Sequence, residues 1–171
     1  KRGITPIEVL EQTGLLAAGT IIAHACGVTP DDVERMASAN VGVATAPKTY
    51  LKLGMDVTPV RDLRAVGIPV GLATDGVVSN NTLDLWEAMR LTAMLQKDRA
   101  LDPEVLTIPE ALAIATHESA NVVGLGGRVG AVAAGYLADL IVVDTSGLHH
   151  QPLHSVTTSL VYSAMASDVV H

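Results

Sequence analysis

At four places in this chain a threonine with a proline within the next two residues stands ahead of a stretch with helical character. They are Thr5-Pro6-Ile7-Glu8, Thr29-Pro30-Asp31-Asp32, Thr58-Pro59-Val60-Arg61 and Thr107-Ile108-Pro109-Glu110. A threonine hydroxyl can cap free backbone N–H groups, proline brings a helical φ where its missing N–H is not needed, and an acid three residues after the threonine closes a capping box. The pattern predicts four helix starts, the third of which lacks the acid and should have the weakest cap. Between them lie short apolar runs with β-branched residues and no helical period: Thr20 to Ala25, Val41 to Ala46 and Pro69 to Thr74. Bounded by turn residues and apolar on both faces, these read as strands covered on both sides. Strand, loop and helix recurring at a spacing of roughly 25 residues favours parallel βα units with right-handed crossovers.

Beyond the third run the pattern changes. Leu83, Trp86, Met89, Arg90, Ala93, Met94 and Lys97 fall at three- and four-residue steps, predicting an amphipathic helix over 83–99, and 111–123 reads as another. Gly124-Leu125-Gly126-Gly127 breaks helix, but it neither follows a strand nor opens a helix and so fails as a dinucleotide loop. A turn or hairpin over 130–135, a strand over 137–144 and a histidine-rich loop complete the expected order. The 171 residues are 49% hydrophobic and 17% charged, as suits one packed core, and no apolar run approaches the ~20 residues of a membrane span. A net charge of −7, one Trp and three Tyr argue against polymeric nucleic acid as a partner. The single Cys26 fits a reducing, cytoplasmic setting. The opening Lys1 to Pro6 lacks the apolar core of a secretory signal and does not begin with Met, so a piece of a longer protein is expected.

In a parallel α/β sheet, ligands gather where the loops after the strands converge. The first run ends in His24, the second in Thr45-Ala46-Pro47-Lys48 and the third in Thr74-Asp75-Gly76. His24 and Asp75 thus sit at equivalent positions two strands apart, and that pair is the main chemical signal. A histidine among Ile, Ala and Cys is more often a hydrogen-bonded core residue than a catalyst. Asp75, closing a very apolar run, either meets a cation, donor or water or caps the segment after it. Ser79-Asn80-Asn81-Thr82 reads first as a helix entry, with Asn81 or Thr82 as the cap, and second as a binding element. Lys48 and Lys52 read as solvated, and Glu87 and Arg90 as paired with each other or with neighbours. His149, His150 and His154 lie close together, but in a loop that reads as exposed, with no acid or cysteine to complete a metal set. His117 and His171 have no chemical context, and Cys26 reads as packing.

These residues carry a resemblance: Ala23-His24-Ala25 with Thr29 and an acidic helix, Ala46-Pro47 with Leu51-Lys52-Leu53, Ala73-Thr74-Asp75-Gly76 with Ser79-Asn80-Asn81, and the tail Gly130 to Asp144. The series resembles the amidohydrolase superfamily, and within it the branch of methylthioadenosine/S-adenosylhomocysteine deaminases and triazine or chloro-hydrolases. The resemblance implies the C-terminal part of a TIM (β/α)8 barrel, strands six to eight with their helices, plus the start of a small β-domain. On that reading residues 1–125 belong to the barrel, 126–146 to the β-domain segment and 147–171 to a returning loop and helix. A full barrel takes ~250 residues, so this chain cannot close one.

The resemblance further implies one divalent metal ion, zinc in the first place and iron as the alternative, with Asp75 as a ligand and proton carrier. His24 would orient water or polarise the substrate, and Thr45, Lys48 and Ser79 would line the pocket. The family's His-x-His, its fifth-strand histidine and the glutamate after it have no counterpart here, and Thr45 to Tyr50 departs from the His-Cys-Pro type of run. The expected activity is hydrolytic deamination of a small heterocycle such as an adenine nucleoside, a pterin or a triazine. The expected partners are that substrate and water, with a homo-oligomer or the missing N-terminal half as protein partner and no membrane. Two alternatives stand beside it: a catalytically inert fragment of such an enzyme, and a small metabolite-binding α/β domain.

Overall fold

The three apolar runs form strands β1 (Ile21–Ala23), β2 (Gly42–Thr45) and β3 (Val70–Leu72), joined as one parallel sheet in the order β1-β2-β3. The structure, a computed structural model, describes residues 3–170. Lys1, Arg2 and His171 lie outside the described residues, and with them the first two residues of the segment read for a signal and the terminal histidine. Ala23 pairs with Ala44 and Ala44 with Gly71, so the three strands run in step. Val43 and Val70 are fully buried, but Ile21 and Ala23 are exposed. The expectation of strands covered on both sides therefore fails for β1, because it is the open edge of the sheet among the described residues.

Helices α1 (Pro6–Gln12) and α2 (Pro30–Ser38) begin as predicted. Thr5 Oγ1 accepts the Glu8 amide at 3.1 Å while Glu8 accepts the Thr5 amide at 2.7 Å, and Thr29 with Asp32 repeats the arrangement at 3.2 and 3.0 Å. Helix α3 (Pro47–Leu53) starts on proline with Ala46 at its cap position, no side-chain cap and no acid in its first turn, while Thr45 two residues earlier belongs to β2. Helix α4 (Val60–Ala65) has Pro59 rather than Thr58 at its cap position and no side-chain cap, in keeping with the weakest cap expected of the four. After the short α5 (Val77–Asn80), α6 (Leu85–Ala100) starts two residues later than its apolar spacing suggested. Asp84 is its cap, accepting the Trp86 and Glu87 amides. Its buried face is Ala88, Met89, Thr92, Ala93 and Gln96, while Leu83 and Met94 are exposed.

The helix expected over 111–123 is resolved into α7 (Ile108–Ala113), a π turn (Ile114–Glu118) and α8 (Ser119–Val122). The widened turn places Ser119 against β3, where its hydroxyl donates to the Ile114 carbonyl at 2.7 Å and accepts the Leu72 amide at 2.9 Å. Gly71 permits this approach, since a Cβ there would lie 2.9 Å from Ser119 Oγ. The expected strand over 137–144 does not form. A strand needs a laddered neighbour, and here Val143 makes only an isolated antiparallel bridge to Val169, leaving Leu140, Ile141 and Val142 more than half exposed. Two 3₁₀ turns (Leu148–His150 and Ala166–Asp168) flank α9 (Val156–Tyr162). The core gathers Met36, Val41, Val43, Leu63, Val70 and Met89 between sheet and helices. No helix among the described residues is long and apolar enough to cross a membrane.

Candidate active site at the strand ends

His24 is the first residue beyond β1. Its amide donates to the Ala44 carbonyl at 2.8 Å, and the chain then turns sharply, with φ of +72° at His24 and +50° at Ala25. Two consecutive left-handed residues other than glycine cost about 1–3 kcal/mol each and persist only where surrounding structure holds them. The His24 ring lies edge to face with Tyr50, centroids 5.7 Å apart and planes at 78°. Its Nδ1 is buried and has no hydrogen-bond partner among the described residues. Such an orphan costs about 1–3 kcal/mol, so His24 is not the satisfied core histidine that its neighbours in sequence would suggest.

Asp75 sits three residues beyond Leu72, the last residue of β3, with φ of +63° and an exposed side chain. Its Oδ1 accepts the Gly76 amide at 2.7 Å and its Oδ2 the Ser79 hydroxyl at 2.9 Å. The Gly76 amide above all, then Ser79, hold the carboxyl below its ordinary range, with smaller help from the Thr49 hydroxyl and the charge of His24. The Asp75 loop is braced by buried Asn80, whose Nδ2 donates to the Thr74 carbonyl at 2.6 Å. Lys52, exposed as expected, adds Nζ bonds to the Val78 carbonyl at 2.8 Å and to Asn81 Oδ1 at 2.6 Å.

The register corrects the placing of His24 and Asp75 at equivalent positions. His24 falls level with Thr45 and Leu72, whereas Asp75 lies further along the chain, on the loop. Two strand spacings of ~4.8 Å put their strands about 10 Å apart, on the same end of the sheet. Thr45 is buried there and donates to Thr58 Oγ1 at 2.9 Å. Lys48 is committed to Glu87 Oε2 at 2.7 Å and Thr82 Oγ1 at 2.9 Å, so Glu87 pairs with Lys48 while Arg90 donates to the Ala164 carbonyl. A cleft of about 490 Å³ follows the open side of β1 past His24, lined also by Ile7, Ile21, Cys26 and Met55. Burial raises the Cys26 thiol pKa, as suits packing rather than nucleophilic attack. A larger cleft of about 660 Å³ lies at the opposite end of β3 around Arg64, whose charge Glu110 and Glu118 already balance.

The histidine-rich loop departs from its sequence reading. His150 is buried, not exposed, and an acid does complete the set. Asp168 Oδ2 lies 3.0 Å from His149 Nε2 and 3.2 Å from His150 Nε2, and these three residues are close enough to hold a metal ion. The same oxygen accepts the Met165 amide at 2.8 Å, and His150 Nδ1 meets Ser159 Oγ at 2.6 Å. Every buried group in the cluster is thereby satisfied from within, which makes it a staple between two loops. The 18 residues between His150 and Asp168 hid it from local pattern reading.

Comparison with known proteins gives a consistent picture. The amidohydrolase family profile matches residues 2–170. The 5-methylthioadenosine/S-adenosylhomocysteine deaminase of Dictyoglomus thermophilum is 40% identical over 167 residues, covering 98% of this chain and 39% of that protein. The enzyme of the same name from Pyrococcus furiosus is 39% identical over 169 residues, covering 99% and 40%. Among solved structures, an adenosine deaminase from Xanthomonas campestris with bound zinc matches with a TM-score of 0.93 and 34% identity, over 99% of this chain and 38% of that one. Atrazine chlorohydrolase from Arthrobacter aurescens, complexed with zinc, matches with a TM-score of 0.87 and 27% identity, over 98% and 37%. The chain spans about two fifths of the length of the curated relatives it matches.

Proposed function

The chain belongs to the amidohydrolase family, and from that premise we propose that it is the C-terminal part of a metal-dependent hydrolytic deaminase. On this reading β1, β2 and β3 are the sixth, seventh and eighth strands of a (β/α)8 barrel. Residues 1–125 belong to that barrel, 126–146 to a small β-domain and 147–171 to the returning loop and helix. The substrate is an amino-substituted heterocycle of the adenine nucleoside, pterin or triazine kind. The bare edge of β1 and the coverage of two fifths of the relatives support a barrel continued by chain outside these residues, from the same polypeptide or a partner. A cytoplasmic site of action accords with the lone Cys26.

One observation carries the reading: Asp75 stands exposed at a strand end with both carboxylate oxygens oriented, on the same end of the sheet as His24 with its orphaned Nδ1. An oriented carboxylate with spare lone pairs fits a metal ligand. Among the described residues Asp75 belongs to no group of three or more potential ligands, so the other ligands come from elsewhere. When bound, a divalent ion, zinc first and iron second, would lower the pKa of a water towards about 7, so that Asp75 could remove its proton at neutral pH. Asp75 takes the proton of the attacking water as the C–O bond forms and returns it to the amine as the C–N bond breaks and ammonia leaves. His24 stabilises the oxygen on which charge develops, and Ser79 holds Asp75 in place. Thr45 and Lys48 serve the pocket wall through the hydrogen bonds already described.

The test is ammonia release from 5′-methylthioadenosine, adenosine, a pterin and a triazine by the longer polypeptide that carries the remaining ligands, with His24→Asn alongside. The reading requires release from at least one of them and a far lower rate in the variant at unchanged metal content; near-normal activity in the variant would remove His24 from its role. The second reading, a catalytically inert fragment, rests on Asp75 standing without further ligands. It predicts a denatured intact mass of 17.7 kDa with no companion chain.

A further inference from the structure

We propose that Thr58 is a positioning residue for His24, its hydroxyl holding the left-handed turn that carries the imidazole. The proposal rests on the reading of His24 as a catalytic group. Thr58 stands where a helix cap is expected, yet the cap position of α4 falls on Pro59 with no side-chain cap, and the Thr58 hydroxyl instead donates to the His24 carbonyl oxygen. Thr58 is buried, and its oxygen lies 2.9 Å from Thr45 Oγ1 and 3.0 Å from the Tyr50 hydroxyl. The Tyr50 hydroxyl already accepts the Ala46 amide at 2.7 Å.

One proton arrangement satisfies all of these groups. Thr45 and Tyr50 each give their proton to Thr58, and Thr58 gives its own to His24. The His24 carbonyl has left the β1–β2 ladder, where the last bond is made by the His24 amide, so this contact replaces a ladder bond at the point where φ turns positive. The ring of Tyr50, fixed by the same hydroxyl cluster, then stands edge to face with the imidazole. A hydroxyl that could cap a helix is thus spent on the backbone of a residue 34 positions earlier.

The test compares Thr58→Val, which removes the proton at nearly constant shape, with Thr58→Ser, which keeps it. In the 171-residue chain, the nitrogen resonances of the His24 ring and its amide-to-Hα coupling report ring surroundings and φ. Both should move in Thr58→Val and stay at parent values in Thr58→Ser. In the longer polypeptide, Thr58→Val should lower kcat about 10²-fold, the scale of a small misplacement of a reacting group, with KM and metal content unchanged. Thr58→Ser should restore it. If Thr58→Val does not fold, Thr58→Ala is read in its place. His24 resonances unmoved by loss of the hydroxyl, or a serine variant that behaves like the valine one, would overturn the proposal. Absence of hydrolysis by the unmodified longer polypeptide would instead defeat the functional reading, while the resonance measurement still decides whether Thr58 holds His24.

Discussion

Ser79 Oγ donates to Asp75 Oδ2 at 2.9 Å, four residues back along the chain, so the first turn of α5 fixes the carboxylate that ends the third strand unit. Removing that donor in Ser79→Ala should raise the Asp75 pKa towards its ordinary 3.8, though not fully, because the stronger Gly76 contact remains. A carboxyl-carbon NMR titration reads the shift directly. The sign for stability follows from the lowered folded pKa. The contribution of Asp75 is fully present above the unfolded value of about 3.9 and is lost as pH falls through the folded one. Since Asp75 is exposed, the stability effect should be small and confined to acid conditions.

Arg64 binds Glu118 through two nitrogens, at 3.1 and 2.8 Å, and Glu110 at 2.8 Å, tying α4 to α7 and the π turn. These bonds hold the guanidinium pKa above its ordinary value, Glu118 contributing most. Arg64→Lys keeps the charge but cannot reproduce the forked contact. It should cost about 1 kcal/mol in a urea titration, and less at high salt, the site being partly exposed.

Gly71→Ala should destabilise the fold by about 1–3 kcal/mol, because the new methyl meets Ser119 Oγ at 2.9 Å and Ser119 Cα at 3.0 Å and the helix must move off β3. Thermal unfolding checks the loss. Adding Ser119→Gly should recover part of it, less the hydrogen bonds that Ser119 makes to Ile114 and Leu72.

The His149, His150 and Asp168 staple predicts its own pH dependence. His149, then the Met165 amide, hold the Asp168 carboxyl below its ordinary 3.8. The staple should therefore keep its strength above that value and weaken as pH falls through the lower folded one. Asp168→Asn should flatten the acid limb of a stability-against-pH curve. His150→Ala, which also empties a buried site beside Ser159, should cost about 2 kcal/mol or more at neutral pH.

Much of this architecture is legible in the residues themselves, and the failures share a cause. Strands at Ile21, Val43 and Val70 and helix starts at Thr5 and Thr29 are set by neighbours in sequence, where apolar runs and capping geometry act. What escaped depends on contacts between distant residues. The segment 137–144 has the composition of a strand but lacks a laddered partner. The π turn answers to Gly71 on another element, and Asp168 reaches His150 only through the fold. Thr58 shows both cases at once: its weak cap was readable from the missing acid, whereas the use of its hydroxyl on His24 was not. At the site, His24 and Asp75 stood out as the polar ends of apolar runs, but their offset along the strands required the register.

The measurement that bears most directly on the central claim is metal content per chain, by mass spectrometry of the native longer polypeptide with and without Asp75→Asn, on samples shown to be equally folded. The account predicts one divalent ion in the parent and a large loss of it in the variant, with ammonia release falling in step. Full metal occupancy and undiminished hydrolysis in the variant would contradict it, because Asp75 would then be neither ligand nor proton carrier.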